Sequence, residues 1–358
     1  MRQFNVEIFK RDFSFVSHTN VSDVSYAEDY LSPVTNEITV FNCEASKGDY
    51  IRIQDAEDDF FGIITAVSSR DTKTMTIQYG SFLSIFDTDL LFDTDLQGTS
   101  DLETVLKNLI TGMFVSNPDT VQNIPGLSVE TVGSTTDWGF NLKSDTEGKH
   151  HCIINFYSVL IARALEKYAV VITVTPDVQE KAIVLTIGAI QESPKVIEAD
   201  LPNIVVKNVV IKETDKDVNK LTVYNTENYT DVRTYYRHSD DTYSIVNTDR
   251  ITPVVQEIHG VAPAQDGTFE NAADSDAANV FGGISYNNLI ELTVTNGDTL
   301  VKPYALDIGQ VVNIISKGNV YTSILTGKAV SDSTLLTFGT IRLDLTKIIK
   351  RRYGGKWQ

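Results

Sequence analysis

Glu37-Ile38-Thr39-Val40-Phe41-Asn42 returns late in the same chain as Glu291-Leu292-Thr293-Val294-Thr295-Asn296, an offset of 254 residues (37 to 291). Both stretches alternate apolar and polar residues, the period of a half-buried β-strand. Three further blocks return with one common offset of 261 residues (48 to 309, 60 to 321, 74 to 335). Gly48-Asp49-Tyr50-Ile51-Arg52-Ile53 matches Gly309-Gln310-Val311-Val312-Asn313-Ile314. Phe60-Phe61-Gly62-Ile63-Ile64-Thr65 matches Tyr321-Thr322-Ser323-Ile324-Leu325-Thr326, and Thr74-Met75-Thr76-Ile77 matches Leu335-Leu336-Thr337-Phe338. The change of offset places seven extra residues in the second copy, around Gly297 to Pro303. One offset held across roughly thirty residues marks an internal duplication of a β unit.

Outward from the first copy, Phe4–Phe9 also alternates, and turn residues at Ser46-Lys47-Gly48-Asp49 and Ser69-Arg70-Asp71 separate the runs. Short strands at this spacing predict a small barrel or sandwich. The period then changes. Ser100-Asp101-Leu102-Glu103 reads as a capping box, and Leu102, Val105, Leu106 and Leu109 follow at helical spacing. This helix is expected to end near Thr111-Gly112. A second helix is expected over 156–168, and strands over 169–174 and 182–187. Residues 99–202 thus read as an α/β module between β-rich segments. Strands resume at Val205–Ile211 and Lys220–Tyr224, weaken over 235–257, and give way to an Ala-, Asp- and Gly-rich stretch, Gly260–Gly283, expected to be a long loop.

With 358 residues, 42% hydrophobic and 22% charged, the chain can bury two or three cores. Its 48 acidic against 30 basic residues give a formal net charge of −18, which repels nucleic acid. Two cysteines, Cys43 and Cys152, make no disulfide framework. The first residues lack the apolar stretch of a signal peptide, and no apolar run approaches the length of a membrane span.

Gly48-x-x-Ile51-x-Ile53 followed by Phe61-Gly62-Ile63-Ile64-Thr65, occurring twice around an α/β insert, resembles the barrel pattern of phage and prophage tail baseplate hub proteins. That family takes in the hub under the spike of contractile phages, the N-terminal hub part of tail-associated lysins, and type VI secretion spikes. The chain is most similar to the short hubs of siphophages of Gram-positive hosts. The second copy departs from the pattern in carrying Ser323 where the first has Gly62.

The resemblance implies a β-rich α+β fold of two related β-barrels with an inserted α/β domain. In this chain the first barrel would span 1–98, with return strands at about 203–225, and the insert 99–202. A connecting β segment with a long loop would follow over 226–284, then the second barrel over 285–346 and a basic tail over 347–358. It implies a virion protein of the tail tip, made in the host cytoplasm, with no enzymatic activity and no cofactor or metal. Its partners would be copies of itself in a homotrimer, the distal tail ring, the end of the tape measure, and tip or fibre proteins. A trimer carrying two similar barrels per chain offers six similar units to a six-fold ring and three-fold symmetry to a tip. DNA would pass its channel without binding, and acidic residues lining that channel would suit the passage. No membrane partner is implied.

Chemistry-bearing motifs are few. Lys149-His150-His151-Cys152 could ligate a transition metal, but adjacent strand residues face opposite ways and no second cluster stands at a zinc-site spacing. His18, His238 and His259 are isolated. Phe86-Asp87-Thr88-Asp89-Leu90 repeats as Phe92-Asp93-Thr94-Asp95-Leu96, whose six-residue period does not match an EF-hand loop and reads as a linker with Phe and Leu packed down. Nucleophile-elbow, zincin, dinucleotide and phosphate-loop patterns are missing from the sequence. The basic end, with Lys350, Arg351, Arg352 and Trp357, is the candidate assembly contact on an acidic chain. Two other functions stay open at this point. A carbohydrate- or receptor-binding tail protein would use aromatic platforms, for which Trp138 and Trp357 are the only tryptophans. A cell-wall endopeptidase would need a nucleophile or metal centre.

Overall fold

The computed structural model describes residues 3–22, 24–56, 58–69, 73–92, 100–136, 138, 152–190, 194–210, 218–239, 242–249, 254–263, 268–281, 286, 288–296, 298 and 301–341. The tail residues Lys350, Arg351, Arg352 and Trp357, the cluster Lys149–His151, and Asp93 and Asp95 lie outside them.

The N-terminal strands are β1 (Phe4–Phe9), β2 (Phe15–Val21), β3 (Tyr26–Asp29), β4 (Asn36–Phe41), β5 (Tyr50–Gln54), β6 (Asp59–Ser69) and β7 (Thr74–Ser81). Six of them form an antiparallel sheet in the order β2-β1-β5-β6-β7-β4. Every second residue points inward, so Val6, Ile8, Val40, Ile51, Ile53 and Ile77 build one core. The sheet curls until β2 meets β4 and the residues just past it: Thr19 Oγ1 reaches the Phe41 carbonyl at 3.5 Å. Ser17 Oγ donates to the Glu44 carbonyl at 2.6 Å and accepts from the Glu44 amide at 3.1 Å. The polar run Ser17-His18-Thr19-Asn20 hides β2 from a hydrophobic-period reading, because this strand keeps no buried row.

A 3₁₀ turn (Phe82–Phe86) leads into the insert: β8 (Asp89–Phe92), α1 (Leu102–Phe114), β9 (Leu127–Val132), β10 (Cys152–Asn155), a π-helical turn (Tyr157–Ile161) running into α2 (Ala162–Tyr168), β11 (Val171–Asp177) and β12 (Ala182–Gly188). β8 is a strand, antiparallel to β10, where the Asp-rich repeat predicted a linker; Phe86 is packed down as expected. Strands β11-β12-β9 form a second small sheet, with β9 parallel to β12. The cap of α1 falls one residue later than expected. Asp101 accepts from the Thr104 amide, and Glu103 turns inward to take the amide and hydroxyl of Thr135, both at 2.8 Å. A carboxylate in place of the Ser100 hydroxyl is the stronger acceptor beside the positive end of the helix. The helix also runs past Gly112 to Phe114, because Leu102, Leu106 and Ile110 bury one face along its length.

The remainder comprises β13 (Lys195–Glu198), β14 (Ile204–Val210), β15 (Lys220–Asn225), β16 (Val232–Arg237), β17 (Tyr243–Ser244), β18 (Gln256–Val261), α3 (Phe269–Phe281), β19 (Leu289–Thr295), β20 (Val311–Ser316), β21 (Asn319–Val330) and β22 (Ser333–Phe338). The last four, with β13 and β14, form a second large curled sheet in the order β13-β20-β21-β22-β19-β14. Two expectations are corrected. The strands at about 203–225 do not return to the first sheet: β14 pairs with β19, and β15 pairs with β16 and β18. Alternation fixes which face a strand buries, not which edge it joins. The stretch 260–283 is also no long loop, since Phe269–Phe281 is helix α3. Ala273, Ala277 and Phe281, four residues apart, cover Leu221, Val223 and Tyr235 of the sheet β17-β16-β15-β18. An apolar stripe made of alanines carries little hydrophobic contrast, so its period is easily overlooked.

The duplication holds in the hydrogen bonds. Strand order β5-β6-β7-β4 recurs as β20-β21-β22-β19. Gly48 and Gly309 both sit at φ +90° and donate to the carbonyls of Ile64 and Leu325; Ile64 and Leu325 donate back to Asp49 and Gln310. A β-bulge follows at Thr65 in β6 and at Thr326 in β21. The fourth sequence block is two residues out of register, because Ile64 pairs with Tyr79 while Leu325 pairs with Phe338. A slip of two keeps every side chain on its face, so the alternation could not reveal it.

Candidate functional site

The two large sheets are joined by an exchanged strand. β3 leaves the first sheet and pairs antiparallel with β21, with Glu28 opposite Lys328 and Tyr26 opposite Val330. Lys328 Nζ then reaches the β5–β6 turn and binds Asp58 Oδ1 at 2.6 Å. Both side chains of this pair are nearly out of solvent, 11% and 4% exposed. Glu28 shares the site. Burial pushes its carboxyl up to about 7, Asp58 adds to the rise, and Lys328 opposes it. Burial thus holds the proton on Glu28 to higher pH than on a solvated glutamate.

Next to the joint, Tyr30 touches all three parts of the molecule. Its amide donates to the Thr326 carbonyl at the bulge of β21. Its hydroxyl accepts from the Ile172 amide at 2.7 Å, and its carbonyl accepts from the Tyr157 hydroxyl at 2.9 Å. Burial raises both phenols above their ordinary range, so they act as neutral hydrogen-bonding groups. The insert is held further by an aromatic stair, Phe13 on Phe61, Phe61 on Phe82, and Phe86 against Phe114 and Phe156, with centroids 4.9–6.4 Å apart. It also closes over one of the two duplicated turns: Val171 packs on Gly309, while a Cβ added at the equivalent Gly48 would meet nothing within 4 Å. A cleft of about 730 Å³ opens where the three parts meet, lined by Glu28, Asp58, Asp307, Lys328, Phe61 and Tyr304 among others.

Two of the described histidines brace the fold. His259 Nδ1 lies 2.7 Å from buried Asp276 of α3 and Nε2 lies 3.2 Å from Glu257, which ties the helix to β18. His238 bridges Ser244 Oγ (2.8 Å) and the Thr248 carbonyl (2.7 Å), bracing an exposed turn. Among the described residues no group of three or more His, Cys, Asp or Glu is placed to hold a metal ion, and no helix is long and apolar enough to cross a membrane. The joint was not legible beforehand: Lys328 lies 270 residues from Asp58, and Glu28, Asp58 and Lys328 belong to no motif. The strongest available signal was the duplication itself, which points to a seam between copies.

No family model matches the sequence, and no curated protein matches it. Solved structures do match the fold. A tail protein from Neisseria meningitidis MC58 superimposes with a TM-score of 0.56 at 12% identity, over 94% of this chain and 96% of that one. The 43 kDa tail protein of prophage MuSo2 from Shewanella oneidensis gives 0.51 at 12%, covering 93% and 98%. A chain of the phage P2 baseplate in its activated conformation with Ca gives 0.51 at 12%, covering 96% and 100%. The chain therefore has the fold of phage and prophage tail and baseplate proteins over nearly its whole length, as the duplicated pattern implied.

Proposed function

We propose that this chain is a non-enzymatic structural hub of a phage tail tip. In this reading the two curled sheets act as paired barrels that dock on the distal tail ring, three copies surround the path of the DNA, and tip or fibre proteins attach on the far side. The observation that carries the reading is the duplication at hydrogen-bond level: equal turns at Gly48 and Gly309, equal bulges at Thr65 and Thr326, equal strand order. Two near-equivalent surfaces in one subunit let a three-fold ring meet a six-fold one. The likeness to tail and baseplate folds supports the same reading. The joint then has a task, since Lys328, Tyr30 and the exchanged strand fix the angle between the paired units. The net charge of −18 suits a passage that DNA leaves without adhering. Lys350, Arg351, Arg352 and Trp357 are the proposed contact to an acidic neighbour in the assembly.

The test is gold labelling of purified tails with an antibody to this chain, viewed by electron microscopy. Label at the distal end of the tube is expected. Label confined to the head, the tube wall or the soluble fraction would end the hub reading.

A further inference from the structure

One edge of β11 runs along the cleft between the three parts. β11 pairs with β12 on one side, and among the described residues no strand joins it on the other. In an antiparallel pair, alternate residues turn their N–H and C=O groups to the partner strand, and those between turn them away. Ile172 fixes the phase: its amide donates outward, to the Tyr30 hydroxyl at 2.7 Å. Val174 and Pro176 therefore turn their main-chain groups to the same side. Pro176 agrees with this phase, since proline lacks the N–H that an inward position would owe to β12. Tyr30 closes the edge at Ile172. Beyond it the N–H of Val174 and the carbonyls of Val174 and Pro176 point to the side of Tyr30, where Thr173, Val174, Thr175 and Pro176 wall the cleft. An unpaired strand edge is a template for another extended chain.

The charges across the cleft say what that chain carries. Glu28, Asp29, Asp58, Asp59 and Asp307 line it, against Lys328 as the one basic lining residue. Lys328 holds Asp58, Arg52 holds Asp59, and burial keeps Glu28 partly protonated at neutral pH. Asp29 and Asp307 then leave the cleft net negative. Tyr304, 37% exposed, adds a ring to the lining over which a cation can sit. We propose that this cleft binds an extended basic segment of a partner protein. The segment adds a strand to β11 and sets lysine or arginine side chains against Asp29, Asp307 and Tyr304. The run from Ile172 to Pro176 offers room for about five residues, about 17 Å of strand. Charge disfavours the surface of a second copy there, since this chain carries a net −18 and like charges brought together cost free energy. The inference goes beyond the hub reading and does not rest on it.

The experiment titrates the full chain calorimetrically with a capped peptide of about eight residues that alternates lysine and valine. Two altered peptides are compared with it, one with glutamate in place of lysine and one with every backbone amide N-methylated. The lysine peptide is expected to bind, the glutamate peptide not to bind, and the methylated one to bind about 10-fold more weakly or worse. An Asp307→Lys variant of the chain should lose about 5-fold or more in affinity, with an unchanged melting temperature because that side chain is exposed. Hydrogen exchange of the Val174 amide should be fast in the free chain and slow with the lysine peptide bound. No binding of the lysine peptide, equal binding of either altered peptide, or full affinity in the Asp307→Lys variant overturns the inference. So does a Val174 amide already protected in the free chain, because the chain's own basic end or a second copy would then fill the edge. The labelled tails are unaffected by any of these results, so this inference and the hub reading can fail separately.

Discussion

Replacing Lys328 with Met removes the ammonium that holds β21 to the β5–β6 turn while keeping most of the apolar stem. Asp58, 4% exposed and 2.6 Å from that ammonium, then loses this counter-charge, and Glu28 stands across the ladder as a second acid. Breaking a buried ion pair from one side costs about 3–5 kcal/mol, because the remaining ion keeps its desolvation penalty without its partner. At about 2–4 °C per kcal/mol for a cooperative unit of about 150–250 residues, the first unfolding transition should fall by roughly 6–20 °C. Scanning calorimetry at neutral pH reads this directly. The double variant Asp58→Asn/Lys328→Met should recover much of the loss, since it removes the stranded charge as well. A fall under about 2 °C, or a double variant no better than the single one, would refute the reading of this joint as a desolvated clamp.

Glu28 has a folded pKa of about 7 against an ordinary 4.5, raised first by burial. Its contribution is therefore full below pH 4.5 and is lost as pH rises through 7. Glu28→Gln should flatten urea-measured stability between pH 5 and 8 by up to about 3 kcal/mol, less what water in the cleft screens; an unchanged slope counts against it. Tyr79 and Phe338 hold equivalent places, and the Tyr79 hydroxyl is buried without a partner. Tyr79→Phe should be neutral or stabilising by about 1 kcal/mol, whereas Phe338→Tyr should cost about 1–3 kcal/mol; a destabilised Tyr79→Phe, or a Phe338→Tyr as stable as the unaltered chain, would contradict the equivalence. Gly48→Ala and Gly309→Ala share the strain of φ +90°, but only the second places a methyl 2.6 Å from Val171. Denaturant midpoints should show the Gly309 variant worse by about 1–3 kcal/mol; equal losses would mean that the insert does not press on that turn.

The asymmetry at the two glycine turns bears on the hub reading. Duplicated sheets begin as equals, yet the insert covers one turn and leaves the other open. Equivalent surfaces for a six-fold partner must therefore lie on the sides of the sheets that the insert does not touch. Ile324 marks the covered side in the second copy, since it is buried in the insert's core although it belongs to β21. Tyr50 and Phe61 do the same in the first.

The chain's own pattern was enough to reveal the β unit, its second occurrence and the helical stretches at 102–114 and 157–168. These rest on short-range periodicity, which the order of residues records directly. The pairing of β14, the third sheet with its alanine-faced helix, and the two-residue slip at β22 escaped it. Alternation is silent about which edge a strand joins, and small side chains mark a buried face weakly. The joint of Glu28, Asp58, Lys328 and Tyr30 exists only in three dimensions. Its members are brought together by a strand that leaves one sheet for the other, and the burial that raises Glu28 arises only once that exchange has closed the seam.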